Sequence, residues 1–140
     1  MDPGEAHTKF VEGWPAQSWE AIERSYREAG IDVLAELARR VRVTGIGRSL
    51  GGIVSGYVLR CMMHQQMYVF EPSLVIAPNV DGTVTFTYEM SSGKHNEDWT
   101  ATYPSDHVLA AFSRFLTRVG WVPGGHPAHA VLMGPNSSNE

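Results

Sequence analysis

Residues that could cradle a nucleotide phosphate, hold a metal ion, activate a thiol or exchange protons all occur in this chain, each in an incomplete setting. The run Thr44, Gly45, Ile46, Gly47, Arg48, Ser49, Leu50, Gly51 has the glycine content of a loop whose backbone amides approach a pyrophosphate at a helix N-terminus. Its flanks oppose that use, because residues 32–43 read as helix instead of a buried first strand and no alternating strand and helix units follow. The run is expected to be a structural connection needing unusual φ and ψ, with no cofactor. His126 and His129 stand three apart, a spacing that can chelate a metal. No Cys, Asp or Glu follows them before Glu140, so they read as surface histidines and no metal site is assigned.

Cys61 and His64 would be neighbours on a helix and would face opposite ways on a strand. A thiolate needs an imidazole or a positive charge beside it to react at neutral pH. Packed among Met62, Met63 and Met67, Cys61 is expected instead to behave as a small buried hydrophobe. Glu89, His95, Asp98 and His107 would supply a general acid and base if a sheet and the last helix gathered them around one cavity. His64, His107 and Glu89 are therefore the catalytic candidates, although solvation explains these groups more simply.

Tyr57, Met62, Met63, Met67, Tyr68 and Phe70 lie close together and cannot all face one side of any regular element. Exposed aromatic and methionine side chains are typical of partner interfaces and apolar ligand pockets. Tyr57, Met63, Met67 and Tyr68 are the candidate binding residues, with core packing as the competing explanation.

The elements that must position these groups are unevenly written. Pro3, Gly4, Gly13 and Pro15 break periodic structure near the start, where Phe10, Val11 and Trp14 remain able to dock on the core. From an N-cap at Ser18, Trp19, Ile22, Tyr26, Ala29, Val33, Leu37 and Val41 recur at helical spacing. Gly30 followed by Asp32 reads as a C-cap and a fresh N-cap, dividing the stretch into two helices. Arg39, Arg40, Arg42 and Arg48 read as a solvated helix end. Between Gly45 and Gln66 the stripe Leu50, Ile53, Val54, Tyr57, Val58, Cys61, Met62 slightly favours helix, while Gly51, Gly52 and Gly56 weaken it. The rival is a strand from Ile53 to Met63.

Residues 67–77 are rich in strand formers, and Pro78, Asn79, Asp81 and Gly82 supply a turn. Strict alternation from Thr83 to Met90 is the period of a half-buried strand, and a third strand is expected over residues 98–103. Pro104 ends the sheet, Ser105 caps a last helix with the stripe Val108, Phe112, Phe115, Leu116 and Val119, and Gly120 stops it. Trp99, Thr100 and Ala101, with Pro104, Val108, Ala111, Phe112 and Leu116, resemble the strand-to-helix passage of SPDY-type domains. That resemblance implies no activity, cofactor or site residue.

The chain has 140 residues, 43% of them hydrophobic and 19% charged, which suits one domain with an ordinary core. Residues 1–17 are expected to be an extension, 18–122 the domain and 123–140 a largely flexible tail. With no long apolar run and no basic leader, neither a membrane span nor export is expected. Cys61 is the only cysteine, so no internal disulfide forms and a cytoplasmic location is expected. A net charge of -4 opposes nonspecific attraction to nucleic acid or anionic lipid.

The expected fold is α+β and two-layered, a three- to four-stranded antiparallel β-meander packed against two to four helices. Val84, Phe86, Tyr88, Phe112, Phe115, Leu116, Leu34 and Leu37 are its expected core. The expected function is non-enzymatic binding through the aromatic and methionine-rich surface, to a protein partner or to itself, with a small-molecule ligand as a further option. The alternative is a small cofactor-free enzyme, a cyclase, isomerase or hydrolase, with its pocket between sheet and helices.

Overall fold

Ser18 accepts a hydrogen bond from the Ala21 amide (3.1 Å) and so starts helix α1, Trp19–Glu28, whose Trp19, Ile22 and Tyr26 face inward. The computed structural model describes residues 14–63, 66–67, 72–89 and 99–121. Gly30, at φ 77°, ends the first helix in the left-handed region. Helix α2, Asp32–Thr44, then begins from Ile31, so Asp32 is its first residue and not its cap. The division at Gly30 follows the sequence reading.

Strands β1, Trp14–Pro15, and β4, Gln66–Met67, pair as a short antiparallel ribbon. The main sheet contains β2, Gly51–Ser55; β3, Val58–Met62; β5, Ser73–Pro78; β6, Val84–Glu89; and β7, Trp99–Tyr103. They lie in the order β2-β3-β5-β6-β7, every pair antiparallel. The meander is as expected in kind but has five strands where three to four were expected, because residues 51–62 form a hairpin. The helix slightly favoured there is not formed. Its rival strand is in fact two, folded back at Gly56 and Tyr57, where Gly56 at φ 64° meets the positive φ that a two-residue hairpin turn requires.

The register puts Leu59, Cys61, Leu74, Ile76, Val84, Phe86 and Tyr88 on one face, under the helices. Helix α3, Val108–Val119, follows a 3₁₀ turn at Ser105–His107 and contributes Val108, Phe112, Phe115 and Leu116 to the same core. Ser105 therefore starts the turn and gives the helix no side-chain cap. Gly120, at φ 76°, ends α3 as expected. All eight expected core residues are buried.

Trp19 ties the layers together. Its indole N–H donates to the Leu50 carbonyl (2.8 Å), and its ring lies where Gly47 and Gly52 would otherwise carry side chains. A Cβ on Gly47 would stand 2.6 Å from Trp19 Cδ1. Tyr26 adds a second tie, donating its hydroxyl to the Tyr57 carbonyl at the hairpin turn (3.0 Å).

The basic cluster is only partly a solvated helix end. Arg40 is 6% exposed and donates to Glu36 (2.9 Å), because its stem continues the apolar side of α2. Arg39 grips the same carboxylate through two hydrogen bonds of 3.0 and 2.7 Å. Those bonds, opposed by partial burial and reinforced by Arg40, hold Glu36 at about 2, against its ordinary 4.5.

Two outcomes are expected. Gly47→Ala should lower stability in urea unfolding by roughly 1–3 kcal/mol through overpacking, and by less in a Trp19→Leu background. The stability gap between the native chain and Glu36→Gln should be present above pH 4.5 and close as the pH falls toward about 2, since the folded state holds this carboxyl below its unfolded value.

Candidate functional site

Helix α3 carries two kinds of side chain on its two sides. Phe112, Phe115 and Leu116 recur at helical spacing and are buried, while Arg114, Thr117 and Arg118 are exposed. The helix starts a short way beyond Tyr103 and meets Trp99 at Phe115, with ring centroids 5.7 Å apart. It therefore runs back along β7, antiparallel to it. Phe115 also packs edge-on against Tyr88 (5.1 Å) and Trp121 (5.3 Å), and Tyr103 edge-on against Phe86 (5.2 Å).

This arrangement leaves a groove of about 550 Å³ between β7 and α3, lined by Trp99, Tyr103, Ala111, Arg114, Phe115 and Arg118. Its floor is aromatic and its helical rim is cationic. Arg114 and Arg118 lie four residues apart on one side of α3, and neither forms an ion pair or hydrogen bond among the described residues. Arg24, Arg27, Arg39, Arg40, Arg42 and Arg60 behave differently, each holding a glutamate. The local reason is that α3 contains no Asp or Glu, whereas α1 and α2 interleave acids with bases. β7 lies at the edge of the sheet, and no described segment pairs with its outer side. At the opposite edge Gln17 accepts from the Val54 amide through its side chain (2.9 Å) and donates its own amide to the Gly52 carbonyl (2.9 Å).

Of the catalytic candidates, Glu89 and His107 lie apart. Glu89, on the outer face of β6, accepts a hydrogen bond from Arg60 (2.7 Å), which also donates to Ser73 (2.7 Å). His107 follows Tyr103, the partner of Val84, at the other end of β6. Five strand steps at about 3.3 Å each, together with opposite sides of the sheet, separate the two. His64 lies outside the described residues, as do His95, Asp98, His126, His129 and the tail from 123. Among the described residues no three His, Cys, Asp or Glu side chains gather as metal ligands. No described helix is long and apolar enough to cross a membrane.

Cys61 is fully buried on the core face of β3, and burial pushes its thiol well above the ordinary range. The glycine-rich run forms a 3₁₀ turn at Ile46–Arg48, and Gly47 serves the Trp19 ring. Of the candidate binding residues, Tyr57 is 62% exposed and Met63 46% exposed. They stand at opposite ends of β3, with Met62 between them at 1% exposure, so they form no single patch. Met67 pairs with Trp14 through the backbone of β4. Tyr68 and Phe70 lie outside the described residues.

The groove was not among the sequence expectations. Its signal was present in the run Val108–Val119, which carries two arginines at i and i+4 and no acid, and in the pair Trp99 and Tyr103 on one side of a strand. No family model, curated protein or solved structure matches this chain.

Cys61 should resist a thiol-specific reagent in the native protein and react with one equivalent after unfolding in guanidinium. Rapid labelling of the native chain would show that β3 opens.

Proposed function

We propose that this chain is a non-enzymatic binding module that receives a segment of a protein partner in the groove between β7 and α3. The observation that carries the reading is the pair Arg114 and Arg118, without an ion pair among the described residues, on the rim of an aromatic floor. Aromatic anchors and arginine are the side chains enriched at the energetic centres of interfaces. The described lining of the groove holds no carboxylate and no imidazole, which favours recognition over acid–base chemistry. The proposal keeps the expected class of function and moves its surface away from Tyr57 and Met63. It includes a cytoplasmic setting, in which a lone buried cysteine needs no oxidising environment.

A partner other than a second copy suits the charges. Neither β7 nor α3 carries an acidic residue, so two copies joined through this face would set arginine against arginine. The expected experiment is selection of peptides from a random displayed library with the full chain as bait. Selected peptides should bind about tenfold or more weakly to an Arg114→Glu, Arg118→Glu variant and equally well to a Tyr57→Ala, Met63→Ala variant. The exposed positions of the two arginines predict an unchanged circular dichroism spectrum and thermal midpoint. Selected peptides indifferent to the arginine variant, or no selection at all, would overturn the proposal.

A further inference from the structure

We infer that the occupant of the groove is an acidic, extended peptide segment that adds to the meander as a further antiparallel or parallel strand on β7. This deepens the binding reading above and rests on it. Every strand of the main sheet except the two outermost has neighbours on both sides. On the β2 edge, Gln17 occupies backbone groups at Gly52 and Val54, one of the devices by which proteins blunt an exposed edge. On the β7 edge no described group does so, although β7 carries five residues, as long as β2 and β3.

The side chains beside that edge are arranged for an added strand. Trp99, Ala101 and Tyr103 point to the helix side of the sheet, since they face Tyr88, Phe86 and Val84 across the ladder. A strand laid on β7 would place its alternate side chains next to these three, about 5 Å away, and beneath the flank of α3. Ala101 leaves space between the two large rings. Because α3 runs antiparallel along β7, Arg114 and Arg118 are spaced in the direction of the added strand. Four helical residues rise about 6 Å. Two residues of a strand advance about 6.7 Å, so alternate acidic side chains match the two guanidiniums.

A single-stranded nucleic acid is the rival occupant of an aromatic and arginine-lined groove. Trp99 and Tyr103 are each held by an edge-to-face contact, with Phe115 and with Phe86, so neither is free to turn and sandwich a base. Among the described residues only two cations flank the groove, on a chain whose net charge is -4.

The test titrates the full chain, labelled with nitrogen-15, with a capped synthetic peptide of alternating valine and glutamate. Two further versions carry N-methyl groups on the alternate amides of one edge or of the other. Binding through strand addition should shift the amide signals of residues 99–103. One methylated version should lose about tenfold or more in affinity while the other retains it, because only one edge of a strand pairs with β7. The Arg114→Glu, Arg118→Glu variant should reject the glutamate peptide and accept its valine–lysine counterpart. Equal tolerance of both methylated versions would overturn strand addition while leaving groove binding intact. Absence of valine–glutamate binding at millimolar concentration would overturn the acidic-strand inference, and the library selection reports separately on the groove. Arginine-dependent binding of an oligothymidine that displaces the peptide would overturn it in favour of nucleic acid.

Discussion

The fold hangs on the placement of one indole. Trp19 is the first residue of α1 and is almost fully buried, so its N–H must find an acceptor or cost about 1–3 kcal/mol in lost solvation. The acceptor is the carbonyl of Leu50, the residue just before β2. That bond fixes where the helical layer ends and where the sheet begins. The close passage of Gly47 and Gly52 over the same ring then sets the path of the chain between them. From β2 onward each strand of the main sheet is laid beside the preceding strand of that sheet, so the position of β7, and the groove beside it, descends from this first attachment.

The same constraint explains why residues 48–62 were hard to read. Their apolar residues recur at three and four, as in a helix, yet they also supply the alternating inward positions Leu59 and Cys61 of a strand. Glycine decided the matter, for reasons that lie elsewhere in the chain. Gly52 is small because Trp19 and Ile22 press on it, and Gly56 is needed for a turn with positive φ. Residues 84–89 were legible because each fact needed was local: strict alternation with small polar Thr on one side and Val, Phe and Tyr on the other. Ser18, Gly30 and Gly120 were legible for the same reason, as caps act within one turn of their own helix.

The candidate site was less legible than the fold. Glu89 lies on the polar side of β6, in step with the alternation of residues 83–90, but its partner Arg60 comes from β3, two strands away across β5. Tyr57 and Met63 were expected at a surface, and exposed they are; their separation follows from the hairpin, which no count of aromatic residues encodes. The groove needed one tertiary fact, the return of α3 along β7. Given that fact, Trp99 and Tyr103 at i and i+4 of a strand and Arg114 and Arg118 at i and i+4 of a helix fall on facing walls.

Net charge was an insufficient guide because the charges are not mixed evenly. The acids of α1 and α2 are consumed locally: Glu20, Glu23 and Glu36 neutralise arginines one helical turn away or on the adjacent helix. Glu89 neutralises Arg60 on the outer face of the sheet. What a partner meets is the field within roughly 8 Å of its landing site, the distance over which physiological salt screens. At α3 that field comes from two arginines with no carboxylate of their own helix to offset it. A chain that is acidic as a whole can therefore be locally basic along the groove between β7 and α3.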